Sequence, residues 1–401
     1  MARKAIEASA GPTGDDVRSD LNVRYQPGAQ ALEITVVSKV DYLYGEAIEA
    51  AVRRVAEAWG VASGRIEVRD AGALEWVILA RVEACLGRAG FAGQPVLPEA
   101  APESATPRRR ERLRRSRLYV PGNQPKLMIS AGLYDADGII LDLEDSVPPA
   151  EKDTARLLVR NALVALDWGD SERMVRINQG ELGEKDLAAI AAFNVHTVLL
   201  PKVEDPDRVR QVAETLRSLV AEQPYLMPIL ESPRGIFRAL EIAAADPLNV
   251  ALTIGLEDLS AELGAPRSED GVESLLARQT TVYAARAAGV QPIASVYSDI
   301  HNEEGLASYV HRERGLGFDG IGCIHPRQIP IVHREMTPAA AQVDRAVRVV
   351  RAARDAEARG LGAVAVGSKM VDPPVVKQAY RTVELAIAGG LLAADWEDQG
   401  S

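Results

Sequence analysis

The chain has 401 residues, 47% of them hydrophobic, a formal charge of −11 and two cysteines, Cys85 and Cys323. That length fits a large domain plus a small module, and the hydrophobic share is enough for a full core. The acidic balance argues against nucleic-acid binding. The lack of an uninterrupted apolar run of about eighteen residues argues against a membrane span, and two widely separated cysteines argue against structural zinc or a disulfide framework.

The N-terminus, Met-Ala-Arg-Lys-Ala-Ile-Glu, lacks the apolar core of a secretory signal, and with the cysteine usage this predicts a cytoplasmic protein. A polar tail runs to about Asp20, followed by strand-like runs at 21–25 and 31–38, an amphipathic helix over 41–59, an alternating strand at 65–69 and a second helix over 73–88. Residues 1–94 therefore read as a small α+β domain that shows no catalytic constellation of its own. Residues 95–114 read as a linker, Pro- and Ala-rich over 95–107. At its end Arg108, Arg109, Arg110, Arg112, Arg114, Arg115 and Arg117 crowd together. They are expected to form a solvated linker end; the alternative is an anion-attracting patch.

Residues 115–337 alternate short apolar strands with helical segments. Strands are predicted at 117–120, 138–143, 174–177, 197–200, 226–230, 250–254, 292–296 and 320–324, and helices at 186–193, 207–222, 236–245, 272–288 and 303–314. Near-continuous apolar strands are those of a parallel sheet buried on both faces. Eight such units predict an α/β TIM (β/α)8 barrel, with a doubly wound sheet as the alternative. Residues 338–401 extend past the eighth strand with a long helix over 339–359, a Gly-containing loop at 367–374 and another helix, as a lid or oligomerisation extension.

Barrel enzymes place their chemistry at the C-terminal ends of the strands. Here those ends carry Asp142, Glu144 and Asp145, then Arg176 and Asn178, Lys202, Glu231 and Arg234, Glu257 and Asp258, Asp299, and His325. One strand-end carboxylate is readily explained as a helix cap. A whole set converging on one rim would repel unless a ligand or metal organised it. Glu231 and Asp258 follow neighbouring strands and form the best metal pair. Carboxylates without Cys or His nearby favour Mg2+, which takes one or two protein carboxylates and keeps other positions for water and substrate. Arg176 is suited to forking onto a substrate carboxylate. Glu144 and Asp145 either orient Arg176 or hold metal-bound waters, or else cap the following helix. Lys202 is read as a salt-bridge partner rather than a Schiff-base lysine. His325 is either a site residue or a structural hydrogen-bond partner.

The runs RSRLYVPGNQPKLM, DGIILDLEDSVPPAEKDTAR, VRIN, VLLPKVE, ILESPRGI, IGLEDLSAELGAPR and IGCIHPRQIPIV, with the tail GSKMVDPPVVKQA, closely resemble the citrate lyase beta-subunit family of the HpcH/HpaI aldolase superfamily. The resemblance spans about residues 115–387. It implies a Mg2+-dependent barrel, a homotrimer or hexamer, and cleavage of a 3-hydroxy-3-carboxyacyl thioester. It places the metal on Glu231 and Asp258, the substrate carboxylate on Arg176, and an acid/base from a neighbouring subunit on Asp372. Arg117 and Lys126, both inside the first run, are further substrate-binding candidates. The competing reading of Asp372 is a helix N-cap ahead of Pro373 and Pro374.

The front domain is similar to the citrate lyase acyl carrier (gamma) subunit, through SDLNVRY and especially RDAGALEWVILARVEACLGRAG. In that family a serine in a Ser-Ser-Asp motif carries a phosphoribosyl-dephospho-CoA group. The matching positions here are Arg18, Ser19 and Asp20, so Ser19 is the nearest attachment candidate and Ser9 a distant second. The implied reaction is retro-Claisen cleavage of a citryl thioester to oxaloacetate and an acetyl thioester, the thioester being carried on CoA or on an acyl carrier. A separate alpha-type acyl-transferase subunit would be required as partner. Alternatives are malyl-, methylmalyl- or citramalyl-CoA cleavage, a non-catalytic scaffold or carrier subunit, and enolate chemistry on phosphoenolpyruvate-type substrates.

Overall fold

The computed structural model describes residues 5–101, 106–358, 364–366 and 369–396. Residues 102–105 of the linker, and Gly367 and Ser368 of the tail motif, lie outside the described residues.

Alternating apolar and polar residues in β2 (Leu21–Gln26) and β4 (Gly64–Asp70) bury one face of each strand. With β1 (Ala8–Ala10) and β3 (Leu32–Ser38) they make a four-stranded sheet of order β1-β2-β4-β3. β1 lies in the segment read from the sequence as a tail; three residues are too few for a period to show. Helices α1 (Asp41–Ala58) and α2 (Glu75–Arg88) pack on this sheet. Every α2 residue from Trp76 to Leu86 is buried, as in a helix enclosed on all sides. One side meets its own sheet and the other meets α4 (Lys152–Ala165) of the barrel. Arg160 on α4 pairs with Glu83 on α2 at 3.0 Å, both nearly inaccessible, and Asn161 donates to the Trp76 carbonyl at 2.9 Å.

The eight apolar segments form β5 (Ser116–Pro121), β6 (Gly138–Asp142), β7 (Glu172–Arg176), β8 (Thr197–Leu200), β9 (Tyr225–Leu230), β10 (Ala251–Ile254), β11 (Gln291–Ala294) and β12 (Gly320–Cys323). All pair in parallel, and β12 closes back onto β5 with Ile321 opposite Ser116. The barrel is therefore closed, which excludes the doubly wound alternative. Ile140, Met174, Leu199, Met227, Ile229, Ala251 and Ile293 fill its interior, a packed core rather than a pore. Outside run α3 (Pro125–Met128), α5 (Gly180–Ile190), α6 (Pro206–Leu219), α7 (Pro233–Phe237), α8 (Ala239–Ala243), α9 (Leu256–Leu263), α10 (Leu275–Ala288), α11 (Glu303–Leu316) and α12 (Gln328–Met336).

Most of the arginine cluster departs from its expected solvated state, Arg109 alone of the seven remaining exposed without a side-chain partner among the described residues. Arg108 donates to the Val195 and Glu222 carbonyls, Arg110 to those of Pro247 and Asn249, and Arg112 to those of Asp137 and Asp170. Arg114 forks onto Glu172 at 2.7 and 2.9 Å and donates to Gln291 at 2.6 Å. Arg115 pairs with Asp137 at 2.8 Å. These partners lie at the starts of β6 to β11, so the linker end runs across the N-terminal mouth of the barrel and satisfies the backbone acceptors there. Engaged in this way, these residues do not form the alternative anion site.

The C-terminal extension comprises α13 (Ala340–Ala358), the antiparallel strands β13 (Val364–Val366) and β14 (Lys369–Val371), and α14 (Pro373–Ala388). It has its own small core, including Val349, Val350, Val371 and Val383. Arg381 of α14 pairs with Asp319, immediately ahead of β12, so α14 meets the barrel at the N-terminal end of the strands.

The Arg114–Glu172 pair is almost fully excluded from solvent, with side-chain exposures of 0% and 1%. Replacing one partner strands a buried charge. Arg114→Met is expected to lower stability by about 3–5 kcal/mol, read as a shift in the urea midpoint. An unchanged midpoint would show that this pair does not hold the barrel mouth.

Candidate functional site

A cavity of about 380 Å3 opens at the C-terminal ends of the strands, lined by residues of β5, β6, β7, β9, β10 and β11 and the loops that follow them. Arg176, the last residue of β7, lies between three carboxylates. It forks onto Asp142, the last residue of β6, at 2.6 and 2.7 Å, and reaches Glu144 at 3.0 Å and Asp145 at 3.4 Å. Its guanidinium also stacks over Tyr119, 5.3 Å from the ring centroid. Burial works to raise the Asp142 carboxyl, but Arg176 outweighs it and holds Asp142 below the usual carboxylate range. Glu144 and Asp145 thus contact Arg176, the first of the alternatives left open for them. Asp142, two residues earlier and named from the sequence only as a strand-end residue without a role, is the stronger partner.

Glu231 follows β9 and is buried. Its Oε1 accepts from the Lys202 backbone N–H at 2.7 Å, and among the described residues no cationic side chain makes an ion pair with it. Burial pushes its carboxyl up to about 8, with repulsion from Asp258 and Glu144 adding to the effect. Gly255, immediately after β10, gives Glu231 its room: a Cβ there would lie 2.6 Å from Oε2. Asp258 stands in the first turn of α9 and is nearly half exposed. Burial likewise pushes Glu144 up to about 7, against the pull of Arg176 and with a further push from Asp145.

The Lys202 ammonium lies among these acids, 3.7 Å from Glu144, 4.0 Å from Asp145 and 3.7 Å from Asp258. Its backbone is left-handed, φ 52°, a costly conformation for a residue with a side chain and one that clusters at functional sites. The lysine therefore forms ion pairs. No group of three or more His, Cys, Asp or Glu side chains is arranged to hold a metal among the described residues. Two carboxylates suffice for Mg2+, which keeps several waters or substrate oxygens, and a buried carboxylate held high by neighbouring acids is the donor a hard cation relieves.

The remaining sequence-predicted residues are dispersed. Arg117 lines the deep part of the cavity, below Tyr119 on β5. Lys126 is exposed on α3, outside the cavity lining. His325 accepts from the Arg327 N–H at 3.2 Å and is not among the lining residues. Asp372 stands at the N-cap position of α14, exposed and without a side-chain capping bond, and does not line the cavity of its own chain. Ser19 is half-buried with φ 54°. Beside it, Asp20 is buried and paired with Arg81 at 2.6 Å, and Arg81 also donates to the Asn123 carbonyl, just past β5, at 3.4 Å. Ser19 therefore sits where the front domain meets the C-terminal rim of the barrel. Ser9 lies on β1, exposed.

Residues 115–326 match the family described as HpcH/HpaI aldolase/citrate lyase, and residues 10–89 match that of the malonate decarboxylase delta subunit (MdcD). The citrate lyase subunit beta of Leuconostoc mesenteroides subsp. cremoris is 36% identical over 293 residues, 71% of this chain and 97% of that protein. The mitochondrial citramalyl-CoA lyase of Homo sapiens is 33% identical over 291 residues, 68% of this chain and 85% of that one. A solved structure of CitE from Mycobacterium tuberculosis, in complex with magnesium, acetoacetate and coenzyme A, matches with a TM-score of 0.56 at 35% identity. It covers 68% of this chain and 98% of that chain.

The raised Glu231 carboxyl sets a pH dependence. In the unfolded chain this group ionises near 4.5, whereas in the folded protein it keeps its proton up to about 8. Between those values the folded state holds the extra proton, so stability falls as pH rises and the loss is complete above about 8. In chelator, thermal stability is expected to decline from pH 5 to pH 8, and Glu231→Gln to flatten that decline. Superimposable pH profiles for the two proteins would show that Glu231 ionises normally.

Proposed function

The chain belongs to the HpcH/HpaI aldolase/citrate lyase family, and on that premise we propose that it is a Mg2+-dependent carbon–carbon lyase cleaving a citryl thioester to oxaloacetate and an acetyl thioester. The observation that carries this reading is Glu231: a carboxylate raised by burial and by neighbouring acids, without an ion pair to a cationic side chain among the described residues and open to the cavity. Glu231 and Asp258 would hold the ion. Bound there, Mg2+ supplies Lewis acidity that makes an alcohol easier to ionise and chelates an adjacent carboxylate.

The chain's own groups supply the rest. Arg176 fixes the carboxylate on the carbinol carbon and offsets its charge. Glu144, whose carboxyl lies near 7, is poised to take the hydroxyl proton, with Asp145 and Asp142 orienting Arg176. The bond between the carbinol carbon and the thioester's α-carbon breaks. The carbinol carbon becomes the ketone of oxaloacetate, and the bonding pair passes to the thioester as an enolate. Asp372 of a neighbouring copy donates the proton that turns the enolate into the acetyl thioester, which places the reaction in a homotrimer or hexamer. On its own chain Asp372 is exposed and uncapped, free for such a reach.

A second reading, cleavage of citramalyl-CoA or a malyl-CoA, is favoured by the similarity to a citramalyl-CoA lyase. The front domain favours the citryl reading. In it, Ser19 carries a phosphoribosyl-dephospho-CoA group, and an alpha-type acyl-transferase loads the acyl chain.

A panel of citryl-, citramalyl- and malyl-CoA assayed with and without Mg2+ separates these readings. Citryl thioester is expected to be turned over best, EDTA to abolish turnover, and Glu231→Ala to lower it at least about 1,000-fold while the oligomer stays intact by size-exclusion. Turnover that survives both chelation and Glu231→Ala removes the metal assignment. Intact-mass measurement of the protein from its native host is expected to show an adduct on the peptide containing Ser19; an unmodified peptide, with rapid cleavage of free CoA thioesters, removes the carrier role.

A further inference from the structure

Arg117 is the second residue of β5, in the barrel interior one inward-facing position below Tyr119. It is 1% exposed, yet it lines the cavity. Its fully buried surroundings pull the guanidinium toward losing its charge, with Tyr119, Cys323 and Glu172 opposing this. Of the other buried arginines, Arg81, Arg114, Arg115, Arg160 and Arg278 pair closely with Asp20, Glu172, Asp137, Glu83 and Glu313, and Arg173, away from the cavity, donates to the Asn194 and Thr106 carbonyls. Arg117 makes no ion pair among the described residues. Its donors reach the Met227 sulfur at 3.2 Å, the Thr253 hydroxyl at 3.4 Å and the Ala294 carbonyl at 3.3 Å, and its Nε has no partner. The two bonds to oxygen are long, the sulfur is a weak acceptor, and none of the three carries a charge. A buried cation left so is costly, and a site that tolerates it is built for an anion that comes and goes.

The two other cations at this rim already meet protein carboxylates. Arg176 meets Asp142, Glu144 and Asp145, and Lys202 meets Glu144, Asp145 and Asp258. Arg117 is the one whose countercharge must come from the ligand.

Resting on the lyase reading above, we propose that Arg117 is a specificity-determining residue that binds a second carboxylate on the oxo-acid half of the substrate. The carbinol carboxylate belongs to Arg176 and to the ion that Glu231 and Asp258 would hold at the rim. An arm reaching inward from the same carbon passes Tyr119 and meets Arg117. When that arm is CH2COO−, as in a citryl thioester, the guanidinium gains a bidentate partner in a water-excluded place. When it is a methyl group or hydrogen, as in citramalyl or malyl thioesters, Arg117 stays unpaired and the complex forgoes that contact. The enzyme thereby prefers substrates whose oxo-acid product is a dicarboxylate.

The test replaces Arg117 with methionine, of similar length and without charge. For the Mg2+-loaded full chain, the ratio of kcat/KM for citryl-CoA to that for citramalyl-CoA is expected to fall at least about 100-fold in Arg117→Met, chiefly through KM. Arg117→Lys, which keeps the charge without the fork, is expected to fall between, and serves if the methionine variant does not fold. Binding supplies a readout independent of turnover. By calorimetry the wild type is expected to bind malate at least about 10-fold tighter than lactate, and Arg117→Met to erase that preference. Loss of this preference in a protein that cleaves no citryl thioester would uphold Arg117 and sink the lyase reading. Citryl cleavage whose substrate ratio is unmoved by Arg117→Met and Arg117→Lys, or a wild type that binds malate and lactate alike, overturns the assignment of Arg117.

Discussion

Like charges cannot be gathered at one rim unless something between them is positive, and in this molecule that condition governs the site. Asp142, Glu144 and Asp145 follow one strand, and all three turn onto Arg176 from the next. Lys202 enters from the other side and ties Glu144 and Asp145 to Asp258. Glu231, which none of these ion pairs includes, carries the most strongly raised carboxyl of the group. The imbalance is local and directional: the protein supplies cations to one side of the cavity and withholds them from the other. A structure that only needed stability would have replaced the acids; keeping them is a mark of chemistry.

At the opposite end of the barrel the same arithmetic of charge has a purely structural outcome. Arg108, Arg110, Arg112 and Arg114 donate to carbonyls and side chains at the starts of six successive strands. The chain that links the two domains thus closes the lower mouth before it enters β5 as the first strand. Function and stability are separated along the barrel axis, as is general for this architecture.

The barrel was legible because its strands are buried on both faces and therefore continuously apolar, and each ends in a charged or polar run. The arginine cluster was not. A sequence displays its positive charge, but its acceptors are backbone carbonyls distributed over a hundred residues, which no spacing can reveal. Helix α4 shows the same limit: Arg160 and Asn161 are buried because they pair with Glu83 and the Trp76 carbonyl across the domain boundary, which its own residues do not reveal. At the rim, the residue types were readable but the pairing was not. Asp142, unremarkable beside Glu144 and Asp145, takes both prongs of Arg176. Asp372 raised two possibilities, and the exposed, uncapped side chain leaves only the backbone in a capping role.

The junction between the domains carries a mechanical implication. Arg160 bonded to Glu83, Asn161 to the Trp76 carbonyl and Arg81 to the Asn123 carbonyl are rivets sunk into a dry seam. Prising them apart would expose unpartnered charges, so the front domain cannot commute as carrier domains on loose tethers do. It is a fixed pier. Any cargo it bears would have to swing on an arm of its own, with Ser19 as the pivot and the distance to the barrel mouth set once, by folding.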